Sequence, residues 1–190
     1  MKSVQNLPQG YKELYKLDLK QNKEMIIVNV LSVTILIVMM LVMNFFVPIN
    51  TLFLKGESTQ NLILKLIVIA ISMFVYIVLH EAVHGIAMKI FGASKVNFGF
   101  KGLYAFAGSK DYYCKGAYIT IALAPVIVWT IVLAVINAFV PENYFWVVYI
   151  VQMINVSGAS GDIYVSCKFA KLKKDVLIQD TGTEMIVYEK

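Results

Sequence analysis

From residue 25 to residue 47 the chain carries no charged side chain. As a helix rising about 1.5 Å per residue, a run of that length crosses the roughly 30 Å hydrocarbon core of a bilayer. Apolar stretches at 62–91 and 117–140 are long enough to do the same. A fourth, 144–169, runs from an aromatic cluster into a Gly/Ser-rich segment. With 59% of 190 residues hydrophobic and 15% charged, little is left for a separate soluble domain. The expected fold is an all-α polytopic membrane protein with about four transmembrane helices. A basic head (1–24) precedes the membrane domain (25–169), and a short tail (170–190) follows it. The first apolar run is too long and starts too late to read as a cleavable signal.

Every basic residue is Lys, and the bias of basic residues toward the cytoplasm orients the spans. Lys2, Lys12, Lys16, Lys20 and Lys23 precede the first span. Lys89, Lys95, Lys101, Lys110 and Lys115 lie between the second and third, and Lys168, Lys171, Lys173, Lys174 and Lys190 follow the fourth. Only Lys55 and Lys65 fall on the opposite side. The expectation is a multi-pass protein of the cell membrane with both termini and the central loop in the cytoplasm. The net charge of +5 is then accounted for by orientation and anionic headgroups, with no nucleic-acid partner required. Cys114 and Cys167 both fall on the reducing side, which argues against a disulfide between them.

In the head, Leu7, Tyr11, Leu14, Tyr15 and Leu17 come near helical spacing, which suits a helix lying on the inner membrane surface or a solvated basic flank. The central loop, "KVNFGFKGLYAFAG", alternates Val96, Phe98, Phe100 and then Leu103, Ala105, Ala107 about Lys101 and Gly102. That pattern predicts a β-hairpin over about 96–108. Strands so apolar should tuck against the helices or dip into the membrane beside them. The Asp180-Thr181-Gly182 tripeptide matches the signature of aspartic proteases, but one copy in a short polar tail reads instead as a Gly turn before a strand at 185–188.

The chain's two histidines sit in "LHEAVHG", within the second apolar run. On a helix, His80 and His84 share a face one turn apart and can direct a ring nitrogen at one ion, with Glu81 beside it. This is the HExxH arrangement, in which zinc activates water and a glutamate takes its proton. Satisfied core histidines are the plain alternative. Ionisable groups within a span cost at least about 2.5 kcal/mol each, so three clustered there point to a function. A zinc site needs a third protein ligand, and no further histidine exists to supply it. Besides Glu81, the acid inside an apolar span is Asp162, in "SGASGDIY". It and the motif each fall about 10 Å before the cytoplasmic end of spans running the same way. Cys167 is the second candidate ligand, and pairing of Asp162 with Lys168 or a capping role is the alternative without metal. Ser157, Gly158, Ser160 and Gly161 would let helices approach closely or the span unwind just before Asp162. Pro125 lies at a similar depth in the third span, where it frees a backbone carbonyl and can kink the helix beside the site.

"HEAVHG" ending one span, a β-prone loop containing "FGF", "LAP" in the next span and "GDIY" near the end of the last together resemble a family of zincin peptidases that is distantly similar to the site-2 proteases. The resemblance runs from about the first span to the tail. It implies an intramembrane zinc metallopeptidase with His80, His84 and Asp162 as ligands and Glu81 as catalytic base. In site-2 proteases the last ligand lies in an Asn-x-x-Pro…Leu-Asp-Gly setting. Here Asn155, Gly158 and Gly161-Asp162 stand in that place, without the proline or the following glycine, which leaves the role of Asn155 open.

The expected activity is hydrolysis of a peptide bond in a membrane-associated protein or peptide near the cytoplasmic face, with the hairpin holding the substrate extended by strand addition. The alternatives are a membrane protein that binds or carries a divalent metal through His80, His84 and Asp162, and a metal-free scaffold. Substrate identity and oligomeric state are not encoded in any motif.

Overall fold

The computed structural model describes residues 3–19, 22–53, 58–101, 104–182 and 184–190. Lys2, Lys20 and Lys55 of the charge argument, and Gly102 and Leu103 of the hairpin, lie outside these. Five α-helices and seven strands follow the order β1 (Ser3–Val4), β2 (Lys12–Leu17), α1 (Asn22–Phe46), α2 (Thr59–Ile90), β3 (Asn97–Lys101), β4 (Tyr104–Gly108), β5 (Tyr112–Cys114), α3 (Lys115–Phe139), α4 (Phe145–Gly158), α5 (Ser160–Ala170), β6 (Leu177–Asp180) and β7 (Met185–Glu189). Among the described residues, three helices are long and apolar enough to cross a bilayer: Lys23–Phe46, Thr59–Ile90 and Lys115–Phe139. Large apolar side chains stand exposed along them, among them Leu41, Phe74 and Phe139.

The fourth expected span is two helices. It breaks at Ala159, whose amide bonds back to the Asn155 carbonyl, and α5 starts afresh at Ser160 with Asp162 in its first turn. A Cβ on Gly158 would meet nothing within 4 Å, whereas one on Gly161 would come 3.2 Å from Leu19 Cδ1. Close approach therefore explains Gly161, and the helix break falls directly after Gly158.

The all-α expectation also needs correction, because five strands form an antiparallel sheet in the order β1-β5-β6-β7-β2. Head and tail are thus strands of one sheet: Tyr15 pairs with Val187, Val187 with Ile178, and Ile178 with Tyr113. The head is a strand where the sequence suited a surface helix or a solvated basic flank. Leu7, Tyr11, Leu14 and Tyr15 keep a helical spacing while Tyr15 and Leu17 alternate with a period of 2, and the strand that decides between the two lies more than 160 residues along the chain. The expected hairpin is present as the pair β3 and β4, with Phe98 opposite Ala107 and Phe100 opposite Ala105.

The chain divides into two compact units. The first joins Met1–Val28, Val78–Pro125 and Gly161–Lys190. Its core packs the sheet row Tyr113, Ile178 and Val187 with Met88 of α2, Tyr118 and Ile121 of α3, and Val165 and Phe169 of α5. Tyr15 meets the Phe169 ring edge-on at 6.4 Å between centroids. The second unit comprises Asn29–Ile77 and Val126–Ser160. Trp146, Val147, Tyr149 and Met153 of α4 pack there with Leu52 and Ile69. Two of its polar side chains are bonded internally: the Lys65 ammonium donates to the Leu52 carbonyl at 3.1 Å, and the Trp146 indole N–H reaches the carbonyls of Val47 and Pro48.

In the first unit, the buried Asp111 ties the end of the hairpin to the chain after α2. Its carboxylate accepts the Ser94 amide at 2.7 Å and the hydroxyls of Ser94 and Ser109 at 2.8–2.9 Å. Burial alone would raise its pKa, but these bonds, with amides of Ser94 and Lys95, outweigh burial and hold it below 3.8. A lowered folded-state pKa contributes stability above the unfolded value near 3.8, and that contribution is lost as the pH falls through the folded pKa. Asp111→Ala should therefore destabilise the protein at neutral pH by about 2 kcal/mol, leaving the Ser94 amide without its acceptor. Thermal melts of detergent-purified protein at pH 7 and near pH 3 check this, because the gap between wild type and variant should narrow at the lower pH.

Candidate metal centre

Helix α2 carries His80, Glu81 and His84 over its last three turns, where an i, i+4 spacing stacks the two imidazoles on one face. Their rings lie 4.9 Å apart at an interplanar angle of 79°. Asp162, in the first turn of α5, meets both: its Oδ2 is 3.3 Å from His80 Nε2, and its Oδ1 is 3.6 Å from His84 Nε2. One potential ligand atom from each of the three residues falls within 4.8 Å of the other two, with His84 buried and His80 and Asp162 partly so. Two imidazole nitrogens and a carboxylate oxygen are a donor set that zinc accepts, and three protein ligands leave a position open. His84 is held from its far side, where Nδ1 lies 3.0 Å from the Ile121 carbonyl of α3.

Glu81 points elsewhere. Its carboxylate accepts the backbone N–H of Ala107 in β4, while remaining within electrostatic range of His80, His84 and Asp162. The hairpin is held on the motif helix by Phe98: a Cβ at Gly85, directly after His84, would stand 2.2 Å from Phe98 Cζ. Glycine at this position lets the tip of the aromatic ring approach the helix backbone and brings Ala107 to Glu81.

Asp180 sits behind the histidines. Tyr118 of α3 donates its hydroxyl to Asp180 Oδ2 at 2.9 Å, and the Gly182 amide donates to Oδ1 at 2.8 Å. Burial raises the pKa of this carboxyl, partly offset by those two donors, and it feels both His84 and Asp162. The tripeptide is the turn expected from the sequence: Gly182 has φ +81°, and β7 follows it. The nearness of Asp180 to the histidines could not be read from the tripeptide.

The other candidates are engaged elsewhere. Lys168 lies 3.6 Å from Glu24 and over the rings of Tyr15 and Tyr164, so the ion pairing of Asp162 is with the histidines. Cys167 is an exposed free thiol outside the cluster. Asn155 belongs to the second unit, where Oδ1 accepts the Tyr76 hydroxyl at 2.9 Å and Nδ2 donates to Thr130 Oγ1 at 3.0 Å and toward the Val126 carbonyl.

A family model described as "Putative zincin peptidase" matches residues 73–177, which include the motif helix, the hairpin, α3 and Asp162. The chain belongs to this zincin peptidase family. No curated protein and no solved structure matches it. The family implies a zinc-dependent peptidase, and the residues of this zincin that fit the ion are the three that converge, His80, His84 and Asp162.

Gly85→Ala in this zincin should push the Phe98 ring off α2 and loosen the hairpin. Amide exchange at Ala107 should accelerate, and Gly85→Ala with Phe98→Ala should restore part of the protection. Hydrogen exchange followed by mass spectrometry reads both. Unchanged exchange in the single variant would mean that the Phe98 contact does not hold the hairpin.

Proposed function

We propose that this protein is an intramembrane zinc metallopeptidase that cuts a peptide bond of a membrane-associated protein or peptide near the cytoplasmic face of the cell membrane. The observation that carries this reading is the convergence of His80, His84 and Asp162 beside Glu81, at the end of a helix long and apolar enough to cross a bilayer. In that reading α1, α2 and α3 span the membrane, their exposed apolar surface faces lipid, and α4 with α5 forms a broken fourth span. The lysine bias places both termini in the cytoplasm.

His80 and His84 would each present Nε2 to the ion and Asp162 one carboxylate oxygen. Zinc, when bound, supplies Lewis acidity that polarises a carbonyl and makes water a nucleophile at neutral pH. Glu81 is the proton carrier: it takes a proton from the attacking water and returns it to the leaving amine. The Ala107 amide holds the Glu81 carboxylate toward β4 while its charge stays coupled to the histidines.

The same hydrogen bond supports reading the outer edge of β4 as the substrate edge. Because the Ala107 N–H turns away from β3 toward Glu81, alternation along the strand turns the N–H and C=O of Ala105 to that side too. An extended substrate segment added to this edge of β4 would run beside Glu81, with its peptide groups paired and its scissile carbonyl within the site.

Metal analysis of detergent-purified protein tests the centre. Wild type should hold about one zinc per chain, and His84→Ala and Asp162→Ala should lose most of it. Glu81→Gln should keep the zinc and lose cleavage of membrane substrates. Full function with Glu81→Gln would convert the reading to a metal-binding or carrying protein, and a zinc-free wild type after zinc supply would end it.

Ala105→Pro tests the substrate edge by removing one outward N–H from an edge strand that tolerates proline. It should lower kcat/KM by about threefold to tenfold, the worth of one net hydrogen bond, without changing zinc content. An unchanged kcat/KM would remove β4 from substrate binding.

A further inference from the structure

We infer that Pro125 is a positioning residue for the metal centre: it leaves the Ile121 carbonyl free to accept the Nδ1 proton of His84, and so commits Nε2 of that histidine to the ion. This rests on the metal site proposed above.

In an α-helix the carbonyl of residue 121 ordinarily accepts the amide of residue 125. In α3 that residue is Pro125, which has no N–H. The Ile121 carbonyl therefore has no partner of that kind in its own helix, in an apolar segment where an unmet backbone acceptor is costly. His84 Nδ1 stands 3.0 Å from that oxygen. A carbonyl can only accept, so the nitrogen facing it must carry the proton. With an ion bound, the imidazole is neutral and its lone pair lies on Nε2, the nitrogen that stands 3.6 Å from Asp162 Oδ1 within the converging cluster. The two needs are reciprocal. Proline removes the competing donor, and the histidine supplies the missing one, fixing its own tautomer and ring angle.

A kink alone would explain the proline if the histidine lay elsewhere. Its offset of four residues from the one carbonyl that contacts His84 is what assigns the role. The proline ring is also fully buried, as befits a residue built into the wall behind the site.

The test is Pro125→Ala in the full-length protein, which returns a competing N–H to the helix. Two quantities are measured on zinc-free and zinc-loaded samples: the ¹⁵N chemical shifts of the labelled histidines and the zinc dissociation constant by chelator competition. Wild type should show His84 protonated at Nδ1 and metal-bound through Nε2. The variant should show part of its zinc bound through Nδ1 of His84 and a zinc dissociation constant raised about tenfold or more, the usual effect of losing a ligand's outer partner. Unchanged tautomer and affinity in the variant would overturn the inference and leave the metal site standing. Zinc bound through Nδ1 of His84 in wild type would overturn it even if the variant does not fold. Failure of wild type to bind zinc at all would instead refute the metal site itself.

Discussion

The contact of one carboxylate with two imidazoles organises the first unit of this protein. Asp162 lies between His80 and His84 at 3.3 and 3.6 Å, in the first turn of a helix that begins only because the preceding one stops at Ala159. Three ionisable groups within apolar helices are costly unless they satisfy one another or an ion. Everything around them serves to hold that geometry. Phe169 and Val165 anchor α5 in the core, Leu19 packs on Gly161, and the sheet row of Tyr113, Ile178 and Val187 supports the same core from the other side.

The site is assembled from elements with different duties. Helix α2 supplies the paired histidines and the glutamate. Helix α3 supplies the Ile121 carbonyl and the Tyr118 hydroxyl, which engage His84 and Asp180 respectively. The hairpin supplies the Ala107 amide and leans on α2 through Phe98. Asp111 closes the far end of the hairpin against Ser94, at the exit of α2. The hairpin is thus fastened at its base, both to the helix that carries the motif and to the chain that leaves that helix.

Apolar side chains stand exposed along α1, α2 and α3, while the ends near His84 and Lys115 lead into the sheet and its polar anchors. The second unit joins several of its polar groups in short internal bonds. Tyr76, Thr130 and Asn155 form one such knot, and Lys65 with the Leu52 carbonyl another. Asn155 is thus engaged through both atoms of its side-chain amide.

The sequence by itself determined what depends on local spacing and composition. The three long apolar helices follow from unbroken apolar runs, the shared face of His80 and His84 from the helical period, the hairpin from alternation about Lys101, and the Gly182 turn from a residue free to take positive φ. Asp162 was legible because it is the acid, besides Glu81, set within an apolar stretch. What only the tertiary structure decided depends on partners far away in the chain. The head is a strand because β7 lies beside it; until that pairing exists Tyr11, Leu14 and Tyr15 keep a helical spacing while Tyr15 and Leu17 keep a period of 2. The Ile121 carbonyl, the Ala107 amide and the Tyr118–Asp180 pair are invisible in sequence, since a backbone group has no letter of its own and Asp180 is brought near His84 only by the sheet. Local periodicity fixes which face a side chain occupies, and long-range packing fixes what it meets there.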